Sequence, residues 1–210
     1  MPLVLDRSTH TYTDNGIVLP SVTQCLKAAG FFNYGQVNKE ILERAAKFGS
    51  AVHKACALED RNNLGECDVA LLPYLDGWRN FKQLCGLDFI HIEKSLSSKM
   101  YGFAGTPDRL FSKDHKVGYV VDIKTGQYEN WHSVQCVGYE LLFRECRKFK
   151  QYEHWIIYLN PKFKEGFKIE PVARKEIDLN KRTFLAALQI THWKMKHKKG
   201  NEYDTDNGTH

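Results

Sequence analysis

Tyr119-Val120-Val121-Asp122-Ile123-Lys124 is an apolar run that closes on an acid and a lysine, with Thr125-Gly126 after it. Side chains alternate across a strand, so Val121 and Ile123 point one way while Asp122 and Lys124 share the other face. Two charges at the end of such a strand are costly to bury unpaired. The run therefore predicts a strand from Gly118 to Lys124 with a polar purpose at its end.

Working outward, Phe103–Phe111 and Leu87–Leu96 carry strand-forming residues and predict two further strands, with a turn at Asp114-His115-Lys116. Downstream come a helix over His132–Arg147, a strand over His154–Leu159 ended by Asn160-Pro161, and a strand over Phe167–Val172. A closing helix over Asn180–His197 leads into a polar tail, 200–210, expected to be disordered. Upstream, residues 1–20 read as a hairpin turning at Asp14-Asn15-Gly16, and Ser21 caps a helix over Val22–Ala29 that Gly30 ends. Helices over Val37–Leu58 and Asp68–Leu84 follow, the first with Ile41, Ala45, Phe48, Val52 and Cys56 at helical spacing. This order predicts an α/β fold with a central mixed sheet flanked by helices. One domain spanning 1–199 is expected, with the hairpin and helix of residues 1–30 as an elaboration.

Composition excludes little. The 210 residues are 42% hydrophobic and 26% charged, with a formal charge of +5, which permits a polyanionic partner without demanding one. No apolar run approaches the ~18 residues of a membrane span, and the first ten residues lack a secretory pattern. The six cysteines form no C-x-x-C pair and no zinc spacing, so free thiols in a reducing cytoplasm are expected.

The chemistry lies in Gly105-Thr106-Pro107-Asp108 together with Asp122-Ile123-Lys124, fourteen residues from acid to acid. Two acids on adjacent strands with a lysine beside them can hold a divalent cation through oxygen, the Ile123 carbonyl assisting. Lys124 can then orient an attacking water and offset developing charge. An isolated D-x-K is common and usually a surface ion pair, so the weight rests on the combination.

Four motifs stand in order: Gly49 and His53 on a helix, Gly105 and Asp108, Asp122 and Lys124 with Thr125-Gly126, and Gln135 with Tyr139 on the next helix. Over about residues 37–160 the chain thereby resembles the PD-(D/E)xK nucleases, in the RecB-like exonuclease branch often found in phages. The opening Leu19-Pro20-Ser21-Val22-Thr23 is similar to phage members as well. The resemblance implies a restriction-endonuclease-like core and a site taking Mg2+ or Mn2+, one ion or two. In it His53 is a ligand or near-ligand, reached because a small residue at 49 lets the helix approach the sheet. Gln135 and Tyr139 contact substrate or brace the catalytic strand. Glu93 is a further candidate ligand, at a place where related nucleases often carry an acid.

The implied activity is exonucleolytic hydrolysis of linear DNA in recombination, repair or genome processing, in the cytoplasm of a phage-infected bacterium. A recombinase or single-strand-binding protein is an implied partner, and both a monomer and a ring-shaped oligomer remain open. A structure-specific endonuclease and a catalytically silent DNA-binding module are the alternatives. No iron–sulfur cluster is expected, since no cysteine lies beyond Cys146. Two further stretches are candidate DNA contacts: the end of the closing helix, with Lys194, Lys196, Lys198 and Lys199 among His192, Trp193 and His197, and the loop Phe31-Phe32-Asn33-Tyr34.

Overall fold

The computed structural model of the chain describes residues 2–198 apart from Asn33, Tyr34, Gln36, Leu87 and Lys148. In chain order the elements are β1 (Val4–Asp6), β2 (Thr11–Asp14), β3 (Ile17–Leu19), α1 (Val22–Ala28), α2 (Lys39–Asp60), a 3-10 turn Val69–Leu71, α3 (Leu72–Cys85), β4 (Asp88–Ile92), β5 (Leu96–Ser98), β6 (Phe103–Gly105), β7 (Arg109–Ser112), β8 (Val117–Lys124), α4 (Trp131–Cys146), β9 (Gln151–Leu159), β10 (Phe167–Pro171) and α5 (Arg174–Lys198). The tail 200–210 lies outside the described residues.

The principal sheet has the order β10-β9-β8-β7-β4. Strands β8 and β9 are parallel, joined through α4, and the other pairs are antiparallel. The sheet is mixed and flanked by helices. Central β8 is apolar on both faces because both are covered. Val120 joins a core with α1, α4 and α5, through Val22, Leu142 and Phe184. Val121 and Ile123 join a second core with α2 and α3, through Val52, Trp78 and Phe81. No helix among the described residues is long and apolar enough to cross a membrane.

Several boundaries differ from expectation for identifiable reasons. The strand expected over Phe103–Phe111 is two strands, β6 pairing with β5 and β7 with β8. Pro107 has no N–H to give a ladder, and Asp108 turns its carboxylate, not its backbone, toward Ile123 N–H at 2.7 Å. The strand expected over Leu87–Leu96 stops at Ile92, because Glu93 adopts a left-handed φ of 43°; Leu87 itself lies outside the described residues. The N-terminal hairpin gains a third strand, β1, against β2. Helix α5 begins at Arg174, and Asn180, expected at its start, is buried inside it. Ser21 does cap α1, in a reciprocal capping box with Gln24. Ile41, expected on the apolar face of α2, is 60% exposed; Val52 and Cys56 are fully buried.

Candidate active site

Antiparallel pairing gathers three chain segments at one end of the sheet. β8 ends at Lys124; β7 begins at Arg109, directly after Asp108; β4 ends at Ile92, directly before Glu93. Helix α2 passes over this end and contributes His53. Gly49, one turn earlier, allows that approach: a Cβ there would come 3.2 Å from Thr125 Oγ1.

His53 Nδ1 lies 3.0 Å from Asp108 Oδ1. The Asp108 Oδ2 accepts the Ile123 N–H, so the carboxylate is held at both oxygens. His53, Glu93 and Asp108 each offer a ligand atom, and these atoms lie within 4.8 Å of one another. Asp122 stands apart from this group, its Oδ2 2.7 Å from Lys124 Nζ. That oxygen is buried and, among the described residues, makes no hydrogen bond of acceptable angle. The imidazole of His53 and the carboxylates of Glu93 and Asp108 fit a divalent cation, with hard oxygen donors for Mg2+ and a nitrogen that suits Mn2+.

The charges act on each other strongly. Burial raises the Asp108 carboxyl, but His53, through charge and hydrogen bond, then Lys124 and Arg109, pull it down to about 2. Burial dominates at Asp122, against Lys124 and with Asp108, and pushes it up to about 6. Glu93 is raised by burial and by the nearby Asp108 charge. Burial lowers the His53 imidazole, but Asp108 outweighs it and the net shift is upward.

Lys124 is held from the other side. Its Nζ donates to Gln135 Oε1 at 2.8 Å, and Gln135 Nε2 donates to Tyr139 Oη and Thr23 Oγ1, each at 3.2 Å. Gln135 lines the cleft; Tyr139, 7% exposed, stands behind it as a brace. The cleft, of about 1110 Å³, is bounded by β1–β2 residues Arg7 and His10, by α2, and by Trp131 and His132 at the start of α4.

Sequence reasoning missed several supporting residues. Thr106 Oγ1 bonds Tyr12 Oη and Ser95 Oγ, both at 2.8 Å, tying the N-terminal sheet to the segment that carries Asp108. Asp60 and Arg109 form a fully buried ion pair beneath the site. Arg109 had a legible signal, a charge between Asp108 and the apolar Leu110-Phe111. Asp60, at a helix end, had none.

Of the two candidate DNA contacts, the α5 end is partly engaged elsewhere. Lys194 donates to the Ala28 carbonyl and His192 bonds the Gly102 carbonyl. Trp193 is 59% exposed and stacks on His197; Lys199 lies outside the described residues. Phe31 and Phe32 pack against the first core, Phe32 edge-on to Trp131 at 4.4 Å. Asn33 and Tyr34 lie outside the described residues.

No family model and no curated protein matches the chain. Among solved structures it is similar to an alkaline exonuclease, LHK-Exo, from Laribacter hongkongensis, at 12% identity over 83% of this chain and 92% of that one, with a TM-score of 0.34. LHK-Exo in complex with dAMP gives 13% identity over 86% and 94%, with the same TM-score of 0.34. Similarity at this level says nothing about chemistry, which is carried by the side chains of the cleft.

Proposed function

We propose that the chain is a divalent-metal-dependent DNA nuclease, an exonuclease acting on the ends of linear DNA. The observation that carries this reading is the convergence of His53, Glu93 and Asp108 within 4.8 Å, beside a lysine fixed by Asp122 and Gln135. His53, Glu93 and Asp108 would hold Mg2+ or Mn2+, with Asp122 and the Ile123 carbonyl as further oxygen donors. When bound, the cation supplies Lewis-acid polarisation of a phosphodiester and of the attacking water.

The protein's own groups do the rest. Lys124 presents its ammonium toward the cleft, where it orients the water and offsets charge building on the phosphate oxygens. Gln135 fixes that ammonium, and Tyr139 fixes Gln135. His53 keeps its ring aligned by Asp108. Trp131 and His132 form an aromatic side wall of the cleft.

The test is digestion of end-labelled linear DNA, single- and double-stranded, and of a covalently closed circle, with Mg2+, Mn2+ or EDTA, beside Lys124→Ala. Metal-dependent loss of the linear substrates alone, abolished in the variant, is the expected result. Cleavage of the circle would make the protein an endonuclease. DNA binding without cleavage under either metal would leave a silent binding module.

A further inference from the structure

Beneath the candidate metal ligands lies an ion pair with no exposure to substrate. Asp60, the last residue of α2, and Arg109, the first of β7, both have fully buried side chains. The Asp60 carboxylate accepts Arg109 Nε at 2.7 Å, Lys82 Nζ at 2.7 Å and Trp78 Nε1 at 2.9 Å. The other side of the guanidinium faces the site. Arg109 Nη1 donates to the Asp108 carbonyl at 2.7 Å and lies 3.8 Å from Glu93 Oε1. The same carbonyl accepts the Glu93 N–H at 2.9 Å, and Glu93 is the residue held at a left-handed φ.

Asp60 and His53 sit two turns apart on one face of α2. That helix therefore delivers one ligand directly and grips the other two through Arg109. A buried ion pair is weak evidence for stability, because apolar residues of similar volume often serve as well or better. Apolar residues could not, however, hold a main-chain carbonyl and a second carboxylate in register. Nor could they offset the mutual repulsion of Asp108 and Glu93 before a cation arrives.

We propose that Asp60 and Arg109 are a positioning pair that sets the geometry of Glu93 and Asp108 for a divalent cation. The proposal rests on reading His53, Glu93 and Asp108 as the metal site. It is tested by Mn2+ binding to the full chain, measured by calorimetry and by the loss of free-Mn2+ paramagnetic resonance, with thermal unfolding in parallel. The chief variant is the double substitution Asp60→Leu with Arg109→Met; Lys82→Met removes the remaining cation on Asp60 as a control.

The expected result is cooperative unfolding in the double variant, at lower stability because Lys82 Nζ and Trp78 Nε1 lose their acceptor, with Mn2+ affinity weakened about 10- to 100-fold. Lys82→Met should leave the affinity unchanged. A double variant that folds and binds Mn2+ like wild type overturns the proposal. If the double variant does not fold, Arg109→Lys decides by the same readout, since it keeps the charge and loses the fork: weaker binding supports the pair and unchanged binding overturns it. A wild-type chain that binds no Mn2+, or whose binding survives His53→Ala, removes the metal reading itself and the positioning pair with it.

Discussion

Lys124 has three neighbours bidding for one ammonium: Asp122 Oδ2 at 2.7 Å, Gln135 Oε1 at 2.8 Å and the Trp131 ring at 5.6 Å. Gln135 is the one that aims it, because its amide is itself fixed by Tyr139 and Thr23. Lys124→Ala should lower single-turnover cleavage by roughly 10²–10³-fold, the scale of losing one preorganised donor. Gln135→Met should cost less. A hydrogen bond to a charged group contributes about 1.5–3 kcal/mol, hence roughly 10- to 100-fold in rate, with Mn2+ affinity unchanged. Wild-type cleavage by Gln135→Met would mean that Lys124 is aimed without it. These residues were legible because alternation along β8 and one-turn spacing along α4 are local rules. Asp60, Arg109 and Thr106 act through partners 49, 49 and 94 residues away, and no local rule reports such pairings. Glu93 was legible as an acid near the site, but the left-handed turn that directs it was not.

At the scale of elements, the strand through Asp122 and the helices with clear caps were readable, and the errors fell where tertiary pairing overrides local preference. A single extended reading of Phe103–Phe111 could not foresee that Asp108 would spend its carboxylate on Ile123 N–H and divide the segment between two sheets. Glycine contacts between elements were equally hidden. Gly77, inside α3, packs on the turn between β9 and β10 so closely that a Cβ would lie 2.4 Å from the Gly166 carbonyl oxygen, and Gly166 has a φ of +76°. A methyl at Gly77 gains about 1 kcal/mol of helix propensity but forces backbone apart, an overpacking cost of about 1–3 kcal/mol or more. Because the obstacle is main chain, Gly77→Ala should lower unfolding stability, with the urea midpoint falling and the slope unchanged. Gly65→Ala, with open space around its Cβ, serves as the control and should not move the midpoint downward. Equal midpoints for both variants would show that α3 can shift away from the turn freely.

For the whole molecule, the buried titratable groups set how stability follows pH. His132, 4% exposed, bonds Tyr158 Oη through Nδ1 at 2.7 Å. Burial, with help from the Lys124 charge, depresses its imidazole from 6.5 to about 3. A histidine whose folded pKa is depressed contributes stability that is complete above pH 6.5 and is lost as pH falls toward 3, because the unfolded chain takes the proton first. The slope from this one group is at most about 1.4 kcal/mol per pH unit. Asp122 works in the opposite sense over part of the same window: raised to about 6, it takes its proton in the folded chain first. Wild-type stability alone therefore mixes these two with His91, also lowered by burial, and with His53, raised against burial by Asp108. Glu140 adds to the acid loss only below about pH 4.5, since burial raises it but His154 and Arg144 pull it lower on balance. The clean quantity is the stability difference between wild type and His132→Gln, which removes one titration and leaves the others. Measured by urea unfolding from pH 7.5 down to pH 5, the wild type should lose ground to the variant steadily below pH 6.5, and the difference should be flat above it. A difference independent of pH throughout would mean that His132 protonates in the folded chain as readily as in the unfolded one. The hydrogen bond to Tyr158, and with it the packing of the α4 start on β9, would then have to be open in solution.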